Sequence, residues 1–445
     1  MSKPKVRRRP PARHARCFRS LRALGTRLQQ HTLQITAGGR WTDRLSTPVR
    51  QNLRWFWFDG LFANASDAAI VDYLPLFVLA LGATRGQIGL MSALANLSGA
   101  LLLLPGAALV ERLGHRKHIA VLSGGGMGRL TLPLLALLPL LVGNPAVIWL
   151  AVALVVARSA FGNLGLPAWT SLTADIVPLT WRGRYFSTRN IAMGVAGMAT
   201  TYLVGQLITR IGGLSGYQWA LGLAFVLGII SSYCFNRIDE PQATASTSGS
   251  MPKTRQPILH HLRTHRDFVV FCATAALWNL ALNVAGPFFN VYLVENLNAT
   301  ASVVGTLSVL TSLTALPGQR LFGLLADRWG PRRVQLITGL LIPPLPMAWV
   351  FIRSPWHVAP INIASGFLWA GFNLASFNML LAITPEDRRA RYTAWYQIVV
   401  MLSLAAGAVL GGAIAETWGY SAIFILSSLG RLGAMLLFAR FVHTS

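Results

Sequence analysis

The stretch "GLLADRWGPRR", Gly323–Arg333, decides how the rest of the chain is read. It closes a long, mostly apolar run with a tight cluster of charge: Asp327 and Arg328, then Gly330, then Arg332 and Arg333. A near copy, "AALVERLGHRK", occupies Ala107–Lys117, 216 residues earlier, and it too ends an apolar run. A chain that writes the same charged turn twice is built from a repeat.

Composition states what is repeated. Of 445 residues, 53% are hydrophobic and 12% charged, and the mean hydropathy is +0.50. Soluble domains carry about 25% charged residues. A bilayer explains the difference, because a spanning helix needs about 20 apolar residues. Apolar runs fall at 55–81, 88–109, 118–140, 146–172, 189–211 and 217–236, and again at 267–294, 302–325, 334–352, 356–383, 392–415 and 420–442. Between the sets lies a Ser-, Thr- and Pro-rich segment, 237–266, which reads as a linker. The expectation is an all-α, multi-pass membrane protein, with twelve transmembrane helices in two pseudo-symmetric six-helix bundles, 55–236 and 267–445. Residues 1–54 form a basic tail without a long apolar core, read as disordered or as an overextended start.

The formal charge of +25 does not point to nucleic acid, because the basic residues sit between apolar runs rather than along one soluble face. With both termini on the cytosolic side of a plasma (inner) membrane, the inside loops hold Arg112, Arg116 and Lys117; Arg182, Arg184 and Arg189; Arg328, Arg332 and Arg333; and Arg388, Arg389 and Arg391. The outside turns hold Arg85, Arg210 and Arg353, which satisfies the positive-inside rule. Cys17, Cys234 and Cys272 are too scattered for a disulfide framework or a metal cluster.

Two further pairs mark the repeat: "ATRGQIG" at Ala83–Gly89 with "ATASVVG" at Ala299–Gly305, and "PLTWRGRY" at Pro178–Tyr185 with "PEDRRARY" at Pro385–Tyr392. On the charged turns the chain, from Trp55 onward, resembles the major facilitator superfamily, whose motif G-x-L-A-D-R-x-G-R-R follows the second helix of a half. Gly323, Asp327, Arg328, Gly330, Arg332 and Arg333 match it, and Pro331 departs; in the first copy Ala107 and Glu111 replace the Gly and Asp. The resemblance implies a gate latch that forms only while the cytosolic side is closed. Gly114 and Gly330 would supply backbone freedom, and Arg112 and Arg328 belong to the turns. Symmetry then predicts Glu111 pairing with Arg389 or Arg391, and Asp327 with Arg182 or Arg184. The plain alternative is that these charges only enforce topology.

Four ionisable residues stand near the middle of their runs: Asp67, Arg129, Arg158 and Arg431. A charge at the midplane costs at least ~2.5–3.5 kcal/mol, so it faces a cavity or a partner. Repeat offsets map Asp67 to Asn283, Arg129 to Leu345 and Arg158 to Ser365, so the charges are not shared by both halves. That favours function over scaffold, although an Asp–Arg pair pinning helices of the first half is the competing reading. "LVVARSAFG" at Leu154–Gly162 also resembles the L-x-x-x-R-x-x-Q-G signature of drug/proton antiporters, with Phe161 in place of the Gln. The expected mechanism makes Asp67 the proton carrier: burial favours the neutral acid, and approach of Arg158 or Arg129 favours the carboxylate. Asp59 is expected near the cytosolic mouth, exposed and ordinary, and Asp72 is a second-choice proton site.

Trp278, Asn279, Asn283, Trp369 and Asn373 of the second half, with Asn64 of the first, are the expected substrate contacts, and Pro287 is expected to break its helix. Amides among apolar rings suit a small amphiphile; interhelical amide bonds and interfacial tryptophans are the bland alternative. No G-x-x-x-x-G-K-[ST] is present, and His260 and His261 lie in the linker, so neither a catalytic site nor a metal site is expected. The reading is a monomeric, cofactor-free secondary transporter driven by a proton gradient, exporting small amphiphilic compounds. Uptake of a polar nutrient, or a transport-inactive receptor with the same fold, are the alternatives.

Overall fold

The computed structural model describes residues 41, 45–143, 145–240, 266–384 and 389–442, the side chains of residues 266 and 389–391 excepted. The regular elements among them are helical. The first half comprises α1 (Thr47–Ala68), α2 (Leu74–Ala80), α3 (Arg85–Leu113), α4 (Arg116–Ala120), α5 (Gly128–Leu141), α6 (Ala146–Ile176), α7 (Arg182–Ile211) and α8 (Gly213–Asn236). The second comprises α9 (Arg266–Ala285), α10 (Phe289–Glu295), α11 (Ala301–Trp329), α12 (Pro331–Leu341), α13 (Pro344–Trp349), α14 (Val358–Ile383), α15 (Arg389–Thr417) and α16 (Gly419–Phe441).

Among the described residues ten helices are long and apolar enough to cross a membrane. The runs at 55–81 and 334–352 are not among these because each is broken. The first leaves α1 at Ala68 and restarts as α2 beside Pro75. The other passes from α12 to α13 through Ile342 and Pro343, with further prolines at 344 and 346. Proline lacks the N–H that would continue the helical ladder. Elsewhere the third run carries a π-helical stretch, Val121–Met127, between α4 and α5. A short 3₁₀ turn over Gly286–Phe288 interrupts the seventh run at Pro287, as expected. Interruptions of this kind are tolerated at membrane depth where protein or a cavity surrounds them.

The repeated sequence pairs are helix ends. Thr84 and Thr300 both precede helices in the extended conformation, and Thr84 forms a reciprocal capping box with Gln87. Gly114 and Gly330 end α3 and α11 at φ of 69° and 80°, a region that favours glycine. Pro331 departs from the family motif at the first residue of α12, a position where its missing N–H costs nothing.

Packing is uneven along the molecule. At the end away from the charged turns one continuous core draws on both halves, with Tyr73, Phe77 and Val204 of the first packed with Phe288, Val304 and Phe424 of the second. Toward the charged turns the core divides: Leu53, Phe56, Leu172 and Tyr185 form a cluster in the first half, and Phe268, Phe271, Met379 and Phe438 form another in the second. Cross-half polar contacts reinforce the joined end. Arg85 pairs with Glu295 at 3.1 Å, the Gly86 N–H donates to Glu416 Oε2 at 3.0 Å, and the Ser302 N–H donates to Thr209 Oγ1 at 2.9 Å. The helices α3 with α15, and α7 with α11, carry the contact between halves. Among the described residues the halves thus share a core at one end and keep separate cores at the other.

Close approach of α3 and α15 requires small residues, as in other membrane helix pairs. A Cβ on Gly89 would meet the Ala408 carbonyl oxygen at 2.6 Å and Gly412 Cα at 2.8 Å. Gly89→Leu is expected to destabilise the protein by ~1–3 kcal/mol through overpacking. Gly222→Leu, at a site with nothing within 4 Å, should not. Thermal unfolding of the two purified variants checks this.

Candidate functional site

Asp67 lies in the last turn of α1, where the chain breaks. Its carbonyl accepts the N–H groups of Ile70 and Val71, and its carboxylate stands at the C-terminal end of a helix, an unfavourable place for an acid. An acid there needs a cation, and Arg158, midway along α6, supplies one: its guanidinium donates to Asp67 Oδ1 at 2.5 Å. The pair is not sealed. The Asp67 side chain is 65% exposed and that of Arg158 28%, and both line a cavity of about 520 Å³ inside the first half. The repeat counterpart in the second half, Asn283, makes no ion pair. It donates to the Leu404 carbonyl at 2.7 Å and ties α9 to α15.

Two expectations need correction. Asp59 is not an exposed mouth residue; it is buried, with 5% relative exposure. Arg189 is not a loop charge; it is buried within α7. The Ser231 hydroxyl donates to Asp59 Oδ1 at 2.7 Å and accepts from Arg129 at 2.9 Å. Arg189 approaches Asp59 Oδ2 at 3.7 Å, donates to the Phe56 carbonyl at 3.1 Å and lies 4.1 Å from the Phe56 ring centroid. It crosses the face of Gly60, where any side chain would occupy the space of its guanidinium. Arg129, expected beside Asp67, is thus held through Ser231 on the other acid. The spacing contained a signal for this: Asp59, Ala63 and Asp67 stand at i, i+4 and i+8, one helical face, and all line the same cavity. Three arginines and two acids share that cavity.

The expected substrate contacts divide. Asn64 lines the first-half cavity but donates to the Met193 carbonyl at 2.6 Å, tying α1 to α7. Trp278, Asn279, Trp369 and Asn373 are brought together around a smaller cavity of about 240 Å³ in the second half. Trp278 is 3% exposed and stacks on Phe372 at 4.4 Å, a core position. Asn279 spends its amide on the Ala275 carbonyl of its own helix. Trp369 and Asn373 remain wall residues.

Among the described residues Asp327 forms no ion pair with Arg182 or Arg184. Glu111, Arg112, Asp327 and Arg328 are exposed. Arg182 donates to the Ala174 carbonyl at 2.6 Å and so closes the C-terminal end of α6, and Arg184 lies over the Trp181 ring. Arg388 and the side chains of Arg389 and Arg391 lie outside the described residues. Arg116, which follows the first turn, pairs within its own half, with Asp175 at 2.5 Å and Glu240 at 3.2 Å. Among the described residues no group of His, Cys, Asp and Glu could hold a metal ion.

The helical bundle is thus broken in both halves, charged at matching turns and supplied with a cavity within each half. The sequence model of the Major Facilitator Superfamily matches residues 56–289 and 270–445. The chain belongs to that superfamily; it is a multi-pass membrane transporter and not an enzyme. Multidrug resistance protein MdtG of Serratia proteamaculans is 26% identical over 398 residues, 85% of this chain and 91% of that one. The multi-drug resistance efflux pump PmrA homolog of Lactococcus lactis is 25% identical over 389 residues, 85% of this chain and 92% of that one. In fold, the nucleoside transporter NupG aligns with a TM-score of 0.68 at 12% identity, covering 89% of this chain and all of that one. A D-xylose-proton symporter aligns with a TM-score of 0.64 at 16% identity, covering 94% of this chain and 98% of that one.

The two acids should respond differently to neutralisation. Asp59→Asn leaves Arg189 and Arg129 short of their buried counter-charge and is expected to cost ~3–5 kcal/mol. Asp67→Asn removes an exposed partner and should change stability by less than ~1 kcal/mol. Denaturation of the two variants in detergent compares them.

Proposed function

We propose that the chain exports small amphiphilic compounds by alternating access, exchanging them for protons that load on Asp67. The observation that carries this reading is the Asp67–Arg158 pair: an acid in the membrane-spanning part, held by one arginine yet open to a cavity. The efflux names borne by the MdtG and PmrA relatives support the direction. Substrate arrival moves Arg158 relative to Asp67 and so links the cargo to the proton site. Coupling follows, because a ligand moves an equilibrium only by binding its two states unequally.

The reading includes twelve crossings, with α1–α2 and α12–α13 passing through the bilayer as broken spans. Both termini then face the cytosol of a plasma membrane, since the arginines of the charged turns belong inside. In that orientation the molecule is open inward. Asp327 is unpaired with Arg182 and Arg184 for that reason, and the Arg85–Glu295 contact holds the outer end shut.

Purified protein in vesicles with an imposed pH gradient should drive a lipophilic dye against its own gradient. Asp67→Asn and Arg158→Ala should both abolish the pH-driven component while leaving the protein folded. Full pH-driven flux in Asp67→Asn would remove the acid from the coupling. For the latch, cysteines at Arg184 and Asp327 should cross-link only when substrate turnover populates the outward shape. Cysteines at Arg85 and Glu295 should cross-link at rest.

A further inference from the structure

A second cavity, of about 440 Å³, lies within the second half and reaches Asp72 of the first. Arg431, midway along α16, is 3% exposed and lines it. Its terminal nitrogen makes a long 3.5 Å hydrogen bond to the Leu282 carbonyl, and its Nε has no partner. Its guanidinium carbon stands 6.0 Å from the Trp369 ring centroid. Among the described residues no carboxylate pairs with it. At the other end Asp72 accepts from the Asn290 amide at 3.2 Å and is likewise without a salt bridge. Arg431 meets the chain at Leu282 and Asp72 meets it at Asn290, eight residues further along the broken segment, so the two charges stand at different places on the cavity wall.

A buried guanidinium with donors to spare is costly unless something occupies them. Its planar fork matches a carboxylate, phosphonate or sulfonate. Three rings, Trp369, Trp349 and Phe289, line the cavity together with the hydroxyl and amide groups of Ser308, Thr311 and Asn362. We infer that this cavity binds an amphiphile carrying a single anionic head group, seated on Arg431, with its apolar body along the three rings and an uncharged or donor end toward Asp72. Asp72 excludes a second anion from the far end. The inference rests on the transporter reading above and gives the substrate class.

The test is direct binding to the full-length protein in an uncharged detergent, by calorimetry, with biphenyl-4-carboxylate, its amide and biphenyl-4,4′-dicarboxylate. Wild type should bind the monocarboxylate at least about tenfold more tightly than the amide, as a charge-assisted bond requires. Arg431→Gln should reduce that ratio to about one, and Arg431→Lys should keep part of it. Asp72→Asn should raise affinity for the dicarboxylate relative to the monocarboxylate by about tenfold. Equal binding of acid and amide by wild type would overturn the inference. So would a preference that survives Arg431→Gln, because the anion would then sit elsewhere, such as the three-arginine cavity. Should Arg431→Gln not fold, the dicarboxylate ratio in Asp72→Asn decides. Binding is read without a membrane or a gradient, so a failure of pH-driven flux would strike the transport reading and leave this measurement standing.

Discussion

An ionised side chain at membrane depth needs either a counter-charge or water, and the first half of this protein meets that constraint in two ways within one helix. Asp67 sits at the broken C-terminal end of α1, an unfavourable place for an acid, and the arginine of α6 and the open cavity offset this. Asp59, two turns earlier, is enclosed and held by Ser231, with Arg129 and Arg189 around it. The buried acid fixes α1 against α7 and α8. The other acid, Asp67, stays open to the cavity.

The division of labour depends on a scaffold that is symmetric and a set of charges that is not. Both halves break their first segment and end their second on a left-handed glycine. Both start the second segment behind a threonine. At the equivalent of Asp67 the second half places Asn283, whose amide is consumed by a backbone carbonyl. A neutral amide satisfies the same space without demanding a cation, so the second half is free to place its own buried arginine elsewhere, on α16.

Much of the fold was legible in the sequence because its signals are local. Thr84, Gly114, Gly330 and Pro331 each mark a helix end through backbone chemistry that no tertiary contact is needed to explain. The interruptions at 69–73 and 342–343 were less legible: proline was visible, but hydropathy runs on across the break. The Asp67–Arg158 pair was readable because both residues are isolated charges in apolar runs. Asp59 and Arg189 were misread for the opposite reason. Their distance along the chain from a loop was taken as nearness to water, whereas partners far away in sequence, Ser231 and Phe56, enclose them. Asn64, Asn279 and Asn283 show the same limit, since sequence does not reveal which carbonyl an amide will find.

The continuous apolar core at the joined end carries a thermodynamic consequence. Parting the halves at that end would wet residues such as Tyr73, Phe288 and Val304, at about 25 cal/mol for each Å² laid bare. The divided cores at the other end have no comparable seam to protect. A rearrangement that parts the halves at the joined end carries that cost, and one that brings them together at the other end does not.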